Sequence, residues 1–528
     1  MSMEHSFNLS LNVDGQKIET LFTESDPSSS GAVQIGKNYY TYNCAAAEEK
    51  ISSIITKALE SHPETVSAFQ TNVYTIMLPS TPAGKLFSLW LNTFNSGDYK
   101  KLDTLRAYVP EPENYDTNAD FYLYFQTGGF DLIKIEESTP NQITCLVREK
   151  CSDQYLRITL GVENNLMKNF FFDPIDPPPG YKIEKMSEKE MIQATEKRAL
   201  ELTEKGLFSG ALLIAKNGQI LYSFAGGKLP EISKKQDPLD ITFNMGSMNK
   251  MFTAVAIMQL VQQGLLSLNT PIGDILKNHP QLSSITIHPD VAKITLQQLL
   301  THTGGVGDTF GPEAEAIQHL LKSPKDYIEF YNERGLVTPV GEYHYSNHSF
   351  MLLGAAIEAI SQENYYNYIQ KNILDPAEMH STDFHFKTKH VENMASGYMR
   401  DFEKPNPQLE VNDSTLPIRG TPAGGGYSTP NDMLRFANAL ESHRLLDAAY
   451  TKKLIENLVE TSWKTRYGYG FLVAPQETNF WFGHTGTAPG VNCSFKIYPD
   501  AHYTVIVMSN LDYIAGERIA TFIENRLS

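Results

Sequence analysis

At 528 residues the chain is too long for a single hydrophobic core, and its length predicts two to four domains. Hydrophobic residues at 41% and charged residues at 20% exclude a disordered chain. A net charge of −17 excludes nucleic acid and an anionic membrane surface as partners, since phosphate binding needs clustered Lys and Arg. The first ten residues lack a basic start followed by an apolar core, so no signal peptide is read. No run of about 18 apolar residues follows, and a cytoplasmic protein without a membrane span is expected. Residues 1–80 read as a small α+β unit. Phe7, Leu9, Leu11 and Val13 alternate, Asp14-Gly15 follows, and Ile18 and Leu21 resume the pattern, which predicts a hairpin with a two-residue turn. Tyr39 to Tyr42 reads as a strand and Ala45 to Ser61 as a helix. Gly31 to Lys37 matches the first seven positions of a phosphate-binding loop, but Asn38 stands where Ser or Thr must hold a metal. A Tyr-rich strand follows where a helix is required, so this stretch is read as a strand edge.

Residues 81–173 form a second unit. Leu86, Phe87, Trp90, Leu91 and Phe94 share one helical face, Gly97 ends that helix, and Asp98 caps a short one from Tyr99 to Leu105. Strand-like runs follow at Phe121–Phe125, Phe130–Glu136, Gln142–Arg148, Tyr155–Val162 and Met167–Phe172. Helices followed by antiparallel strands predict an α+β cone. The stretch Phe94 to Tyr99 resembles the N-terminal helix turn of NTF2-like domains, which implies an apolar pocket or a dimer surface. Without a convincing acid–base pair, the unit is read as a packing or dimerisation module.

Asp173-Pro-Ile-Asp-Pro-Pro-Pro-Gly180 opens a stiff Pro-rich linker over residues 174–184. The last domain, 185–528, starts with a capping box, Ser187 to Glu190, and a helix reaching about Lys205. A hairpin follows, Gly210–Ala215 and Gln219–Phe224 about Asn217-Gly218. Next comes Ser247-Met-Asn-Lys250, opening a run that is apolar nearly all round and predicts a buried central helix. Serine and lysine three apart share a helix face, so a lysine of lowered pKa can take the hydroxyl proton. Tyr345-Ser346-Asn347 adds a phenol, usable as a base if Lys250 depresses its pKa, and an amide that can hold a substrate carbonyl and fix Lys250. His484-Thr485-Gly486-Thr487 lies in a predicted strand. Gly486 allows close approach of a substrate, and an N–H of this strand can pair with that of Ser247 as an oxyanion hole.

Serine, lysine, tyrosine and strand stand in the order of class C β-lactamases and their penicillin-recognising relatives, and residues 185–528 resemble that family. Leu299 to Gly305, Pro422 to Thr429 and Tyr467 to Gly470 add to the resemblance. It implies an α/β fold, an antiparallel sheet flanked by helices with a helical subdomain, and acylation of Ser247 without metal or cofactor. By the same resemblance Lys250 and Tyr345 exchange protons, Asn347 orients the substrate, and the N–H groups of Ser247 and Thr487 hold the oxyanion. One departure matters. Many β-lactamases carry lysine at the position of His484, where its charge grips the substrate carboxylate. A histidine, with a pKa of about 6.5, is mostly neutral at pH 7. Esters, small amides or D-residue peptides are therefore the expected substrates, with at most slight β-lactamase activity.

The second His-Thr-Gly, at His302, follows a short helix and is read as a backbone anchor. The loops 305–322 and 401–419 are expected to set specificity. Cys44, Cys145, Cys151 and Cys493 lack metal spacing and fit a reducing compartment. The rival expectation is a catalytically quiet scaffold or ligand sensor that forms a homo-oligomer through its N-terminal domains.

Overall fold

The computed structural model describes residues 76–527, apart from 77, 232–236, 310–311, 388–390, 413–414, 457, 463–464, 476–478 and 513, together with four strands within residues 5–43. Those strands pair antiparallel as two hairpins. β1 (His5–Val13) pairs with β2 (Gln16–Glu24), and β3 (Ser30–Ile35) with β4 (Asn38–Asn43). The helix expected at 45–61 lies outside the described residues.

Thr81 caps α1 (Pro82–Asn95), accepting a hydrogen bond from Gly84 N at 3.1 Å, and Asp98 caps α2 (Tyr99–Thr104) through Lys100 N and Lys101 N. The run Phe121–Phe125, expected as a strand, is instead the middle of α3 (Thr117–Thr127). Its aromatic residues favour strand, but Asp116 caps the N-terminus and Gly128, at φ 69°, closes the C-terminus. Helical winding also lets Phe121 meet Tyr99, and Tyr124 meet Phe94, edge to face. Tertiary packing wins over local propensity here. The chain then runs as a meander, β5 (Phe130–Ser138), β6 (Gln142–Glu149), β7 (Tyr155–Glu163) and β8 (Leu166–Ile175), in that order across one sheet. β8 stays paired through Ile175, opposite Tyr155, so the first residues of the expected linker are strand.

After α4 (Glu188–Glu204), with both hydrogen bonds of its capping box present, β9 (Gly210–Lys216) and β10 (Gln219–Gly226) form the expected hairpin. The central helix α5 (Asn249–Gln262) is buried from Asn249 to Leu260. α6 (Asn347–Ser361) lies against it. A small hairpin, β11 (Tyr398–Arg400) and β12 (Leu409–Val411), precedes α7 (Pro430–Glu441). The chain ends with β13 (Val459–Glu460), β14 (Arg466–Tyr467), β15 (Leu472–Val473), β16 (Phe482–Ala488), β17 (Val491–Tyr498), β18 (Tyr503–Ser509) and α8 (Ala515–Glu524). The antiparallel sheet has the order β10-β9-β18-β17-β16-β15-β14-β13.

Strands β9, β17 and β18 are buried on both faces; β9 and β18 are accordingly mostly apolar, whereas β17 alternates and buries Asn492, Ser494 and Lys496 on its second face. Ala211, Leu213, Cys493, Phe495 and Met508 pack towards α5 and α7. Leu212, Ile214, Val505 and Val507 pack towards α4 and α8, in a cluster that continues into Trp90, Phe94 and Phe130. The segment 82–175 therefore shares a core with the back of the sheet. An ionic cluster reinforces that junction. Asp153, in the β6–β7 turn, lies 2.6 Å from Arg526, 3.5 Å from Arg198 and 3.9 Å from Arg148, and Glu149 lies 3.0 Å from Arg518. Cys145, Cys151 and Cys493 are buried free thiols, and no helix among the described residues is long and apolar enough to cross a membrane.

Removing one partner from a buried ion cluster strands the charges left behind. Asp153→Ala should lower the unfolding free energy by about 3 kcal/mol, read from the urea midpoint. An unchanged midpoint would mean that the arginines find solvent.

Candidate active site

Ser247 lies in a single turn of 3₁₀ helix, Gly246–Met248, that runs straight into α5. Lys250, one helical turn on, is completely buried, and its Nζ donates to Ser247 Oγ at 3.1 Å, Asn347 Oδ1 at 2.6 Å and Ala423 O at 2.5 Å. Three acceptors match the three protons of an ammonium. Burial nonetheless draws its pKa from 10.5 to about 7, with Asp308 pulling the other way. That displacement corresponds to on the order of 5 kcal/mol between the two protonation states. In the neutral amine, Asn347 Oδ1 and Ala423 O can only accept, so they keep the two remaining N–H groups. The lone pair is left facing the Ser247 hydroxyl. In that form Lys250 can accept the hydrogen bond of the hydroxyl.

Tyr345 is also within reach, its hydroxyl hydrogen-bonded to Ser247 and its ring 4.8 Å from Lys250 Nζ. Its pKa is pushed up, not down, because burial, with Tyr343 and Asp308 adding to it, outweighs the hydrogen bond to Ser247. The expectation of a phenolate base is corrected accordingly. The lysine charge sits over the ring face, and the phenol is held neutral, fit to pass on a proton.

Asn347 opens α6 under the cap of Ser346. Its Nδ2 lies 3.0 and 3.1 Å from the two carboxylate oxygens of Asp308, and its backbone N–H also donates to Oδ1 at 3.3 Å. The carboxylate fixes which way the amide points, so that Oδ1 faces Lys250. Asp308 escaped the sequence reading because nothing in its spacing from Ser247 or Asn347 marks it. His302 serves the same loop. Its Nδ1 accepts from Ser346 N at 3.1 Å and its carbonyl from His344 N at 2.8 Å, the backbone-anchor role expected of it.

The strand arrives at the serine by glycine-on-glycine contact. Gly246 has φ 51°, and a Cβ there would lie 3.0 Å from Thr487 N; a Cβ on Gly486 would lie 2.0 Å from Met245 O. β15 pairs only with Phe482 and Gly483, which leaves the rest of that edge of β16 to the Ser247 turn. The backbone of Gly486 and Thr487 thereby lies against the turn that carries Ser247. His484 is placed differently from a substrate-gripping group. It is 3% exposed, its Nε2 lies 2.9 Å from Tyr467 Oη and its Nδ1 2.5 Å from Thr485 O. Burial, and then Lys250, push its pKa down to about 3, so it is neutral and both ring nitrogens are engaged. Tyr467, which the sequence marked only as the start of the Tyr467–Gly470 stretch and gave no role, completes that pair.

A cavity of about 300 Å³ lies beside the serine turn, lined by Asn244, Gly397, Asn412, Tyr427, Gly490 and their neighbours but not by Ser247 itself. No group of three or more His, Cys, Asp or Glu among the described residues could hold a metal ion.

Residues 190–527 match the family model described as Beta-lactamase. The chain is 27% identical over 332 residues to the putative penicillin-binding protein PbpX of Bacillus subtilis, covering 62% of this chain and 78% of that one. The crystal structure of a penicillin binding protein from Bacillus halodurans superposes with a TM-score of 0.55 at 29% identity, over 62% of this chain and 99% of that one. An octameric penicillin-binding protein homologue from Pyrococcus abyssi superposes with a TM-score of 0.54 at 26% identity, over 63% and 76% of the two chains.

If neutral Lys250 is the base, labelling of Ser247 by a fluorophosphonate should rise with pH through a midpoint near 7. Asp308→Asn removes the charge that favours the ammonium and should move that midpoint down by about one pH unit. A midpoint that stays in place would remove Asp308 from the electrostatics of the site.

Proposed function

The chain belongs to the Beta-lactamase family of serine hydrolases, and from that premise we propose that it forms an acyl-enzyme on Ser247 and cleaves carboxylic esters, small amides or D-residue peptides. The observation that carries this reading is the buried Lys250, whose neutral form must turn its lone pair to Ser247 Oγ.

The cycle follows from the placement of these groups. Lys250 takes the Ser247 proton as Oγ attacks the substrate carbonyl, and the N–H groups of Ser247 and Thr487 receive the oxyanion. The tetrahedral intermediate collapses, the bond to the leaving alkoxide or amine breaks, and Tyr345 gives that group its hydroxyl proton. The Lys250 ammonium then returns a proton to Tyr345, and the amine is restored. Water enters by the same route in reverse and releases the acid from Ser247. No cofactor takes part in this scheme.

His484 supports the choice of substrate class. A buried neutral imidazole offers no charge to the carboxylate of a penicillin, whereas an ester needs none. Slow turnover of nitrocefin relative to a simple ester is the expected selectivity.

The deciding measurement is hydrolysis of p-nitrophenyl butyrate by the wild type and by Ser247→Ala, with intact mass recorded during turnover. A loss of roughly 10³-fold or more in the variant, and a butyryl-sized gain on the wild type alone, is the expected result. Equal rates and no adduct would sink the reading. The self-assembling scaffold would then lead, and light scattering of the full chain would test it; the octameric assembly of the Pyrococcus abyssi protein lends that rival its support.

A further inference from the structure

The hairpin β11–β12 joins two parts of the molecule that the family match separates. At its base it touches the cavity beside Ser247. Gly397 and Asn412 line that cavity, Asn412 N donates to Gly397 O at 2.8 Å, and Asn412 Nδ2 donates to Pro489 O at 2.6 Å. Gly397 also packs on Gly490 so closely that a Cβ on either would lie 2.8 Å from the other's backbone. Asn244 lines the same cavity, and its Oδ1 accepts from Gly246 N at 2.9 Å, one residue before the serine.

At its tip the hairpin is gripped from outside the matched region. Asn118, in the first turn of α3, donates through Nδ2 to Phe402 O at 2.7 Å and to Lys404 O at 3.2 Å. The Phe402 ring lies 5.1 Å from Tyr122, 6.3 Å from Phe121 and 6.5 Å from Phe125. Arg400 lays its guanidinium over Phe125 at 4.3 Å and donates to Pro407 O at 2.9 Å across the hairpin. A hairpin with three ladder pairs is too short to hold itself in place: its base is tied to the central sheet, Tyr398 N donating to Asn510 O at 2.8 Å, and the contacts from α3 hold its tip.

We infer that α3 acts as a clamp on the β11–β12 hairpin and thereby sets the wall of the cavity beside Ser247, which makes a segment outside the family-matched region a determinant of substrate choice. Phe402, Arg400 and Asn118 are positioning residues in this arrangement, acting through Gly397 and Asn412. The ionic cluster of Asp153 and Glu149 holds the other end of the same segment to α4 and α8, so the clamp has a fixed base. The consequence for selectivity rests on the hydrolase reading above; the clamp itself does not.

Phe402→Ala and Asn118→Ala are tested in the full chain by two readouts. Hydrogen exchange of residues 398–412 should quicken in both variants, with residues 249–262 unchanged as the folding control. The ratio of kcat/KM for p-nitrophenyl octanoate over p-nitrophenyl acetate should shift by about fivefold or more, because the wall that meets the longer chain has moved. Unchanged exchange in both variants would overturn the clamp, and quickened exchange with an unchanged ratio would overturn its role in selection. A wild type that hydrolyses neither ester would fail the reading of Ser247, and exchange alone would then decide the clamp.

Discussion

One ammonium group enclosed by protein sets the terms for the rest of the site. Lys250 is buried among the rings of Tyr345 and Phe350, with its three protons given to a hydroxyl, an amide and a backbone carbonyl. A charge in such a place is tolerated only where every donor is met, and even then its pKa falls. Each acceptor must be held at its distance, and much of the surrounding structure does this holding. Asp308 fixes the amide of Asn347; Thr253 and Asn249 on α5 bind Pro422 O and Gly426 N, which keeps Ala423 O in place. Burying the lysine brings its proton affinity down to near neutrality.

A second constraint is steric. Strand β16 can reach the serine turn only where both segments lack a Cβ, and Gly246 and Gly486 meet that need from opposite sides. The same device recurs where Gly397 meets Gly490. Rigid backbone contacts of this kind transmit position without side-chain freedom, which is why a hairpin tip held by α3 can matter at a cavity wall.

The sequence was most informative where a residue has only local obligations. Ser187 and Asp98 cap the helices they were expected to cap, and β9, β10, β16 and β17 lie where alternation or apolar runs put them. It misled at Phe121–Phe125, where five strand-prone residues wind as a helix because Asp116 and Gly128 bracket them and α1 and α2 receive them. It also assigned Tyr345 the wrong electrical condition, since burial is a property of the assembled fold and no feature of the tripeptide records it.

By itself the sequence marked Ser247, Lys250, Tyr345 and the strand of His484 as one candidate site, because those residues stand in a fixed order on elements whose periodicity is visible. The fold class followed from them. Only tertiary structure decided what those groups can do. The distance from Asp308 to Asn347 spans 39 residues of chain, and that from Lys250 to Ala423 spans 173. Proton affinity depends on burial and on neighbours brought in from such separations, so Lys250, Tyr345 and His484 acquire their charge states only when the chain has closed around them.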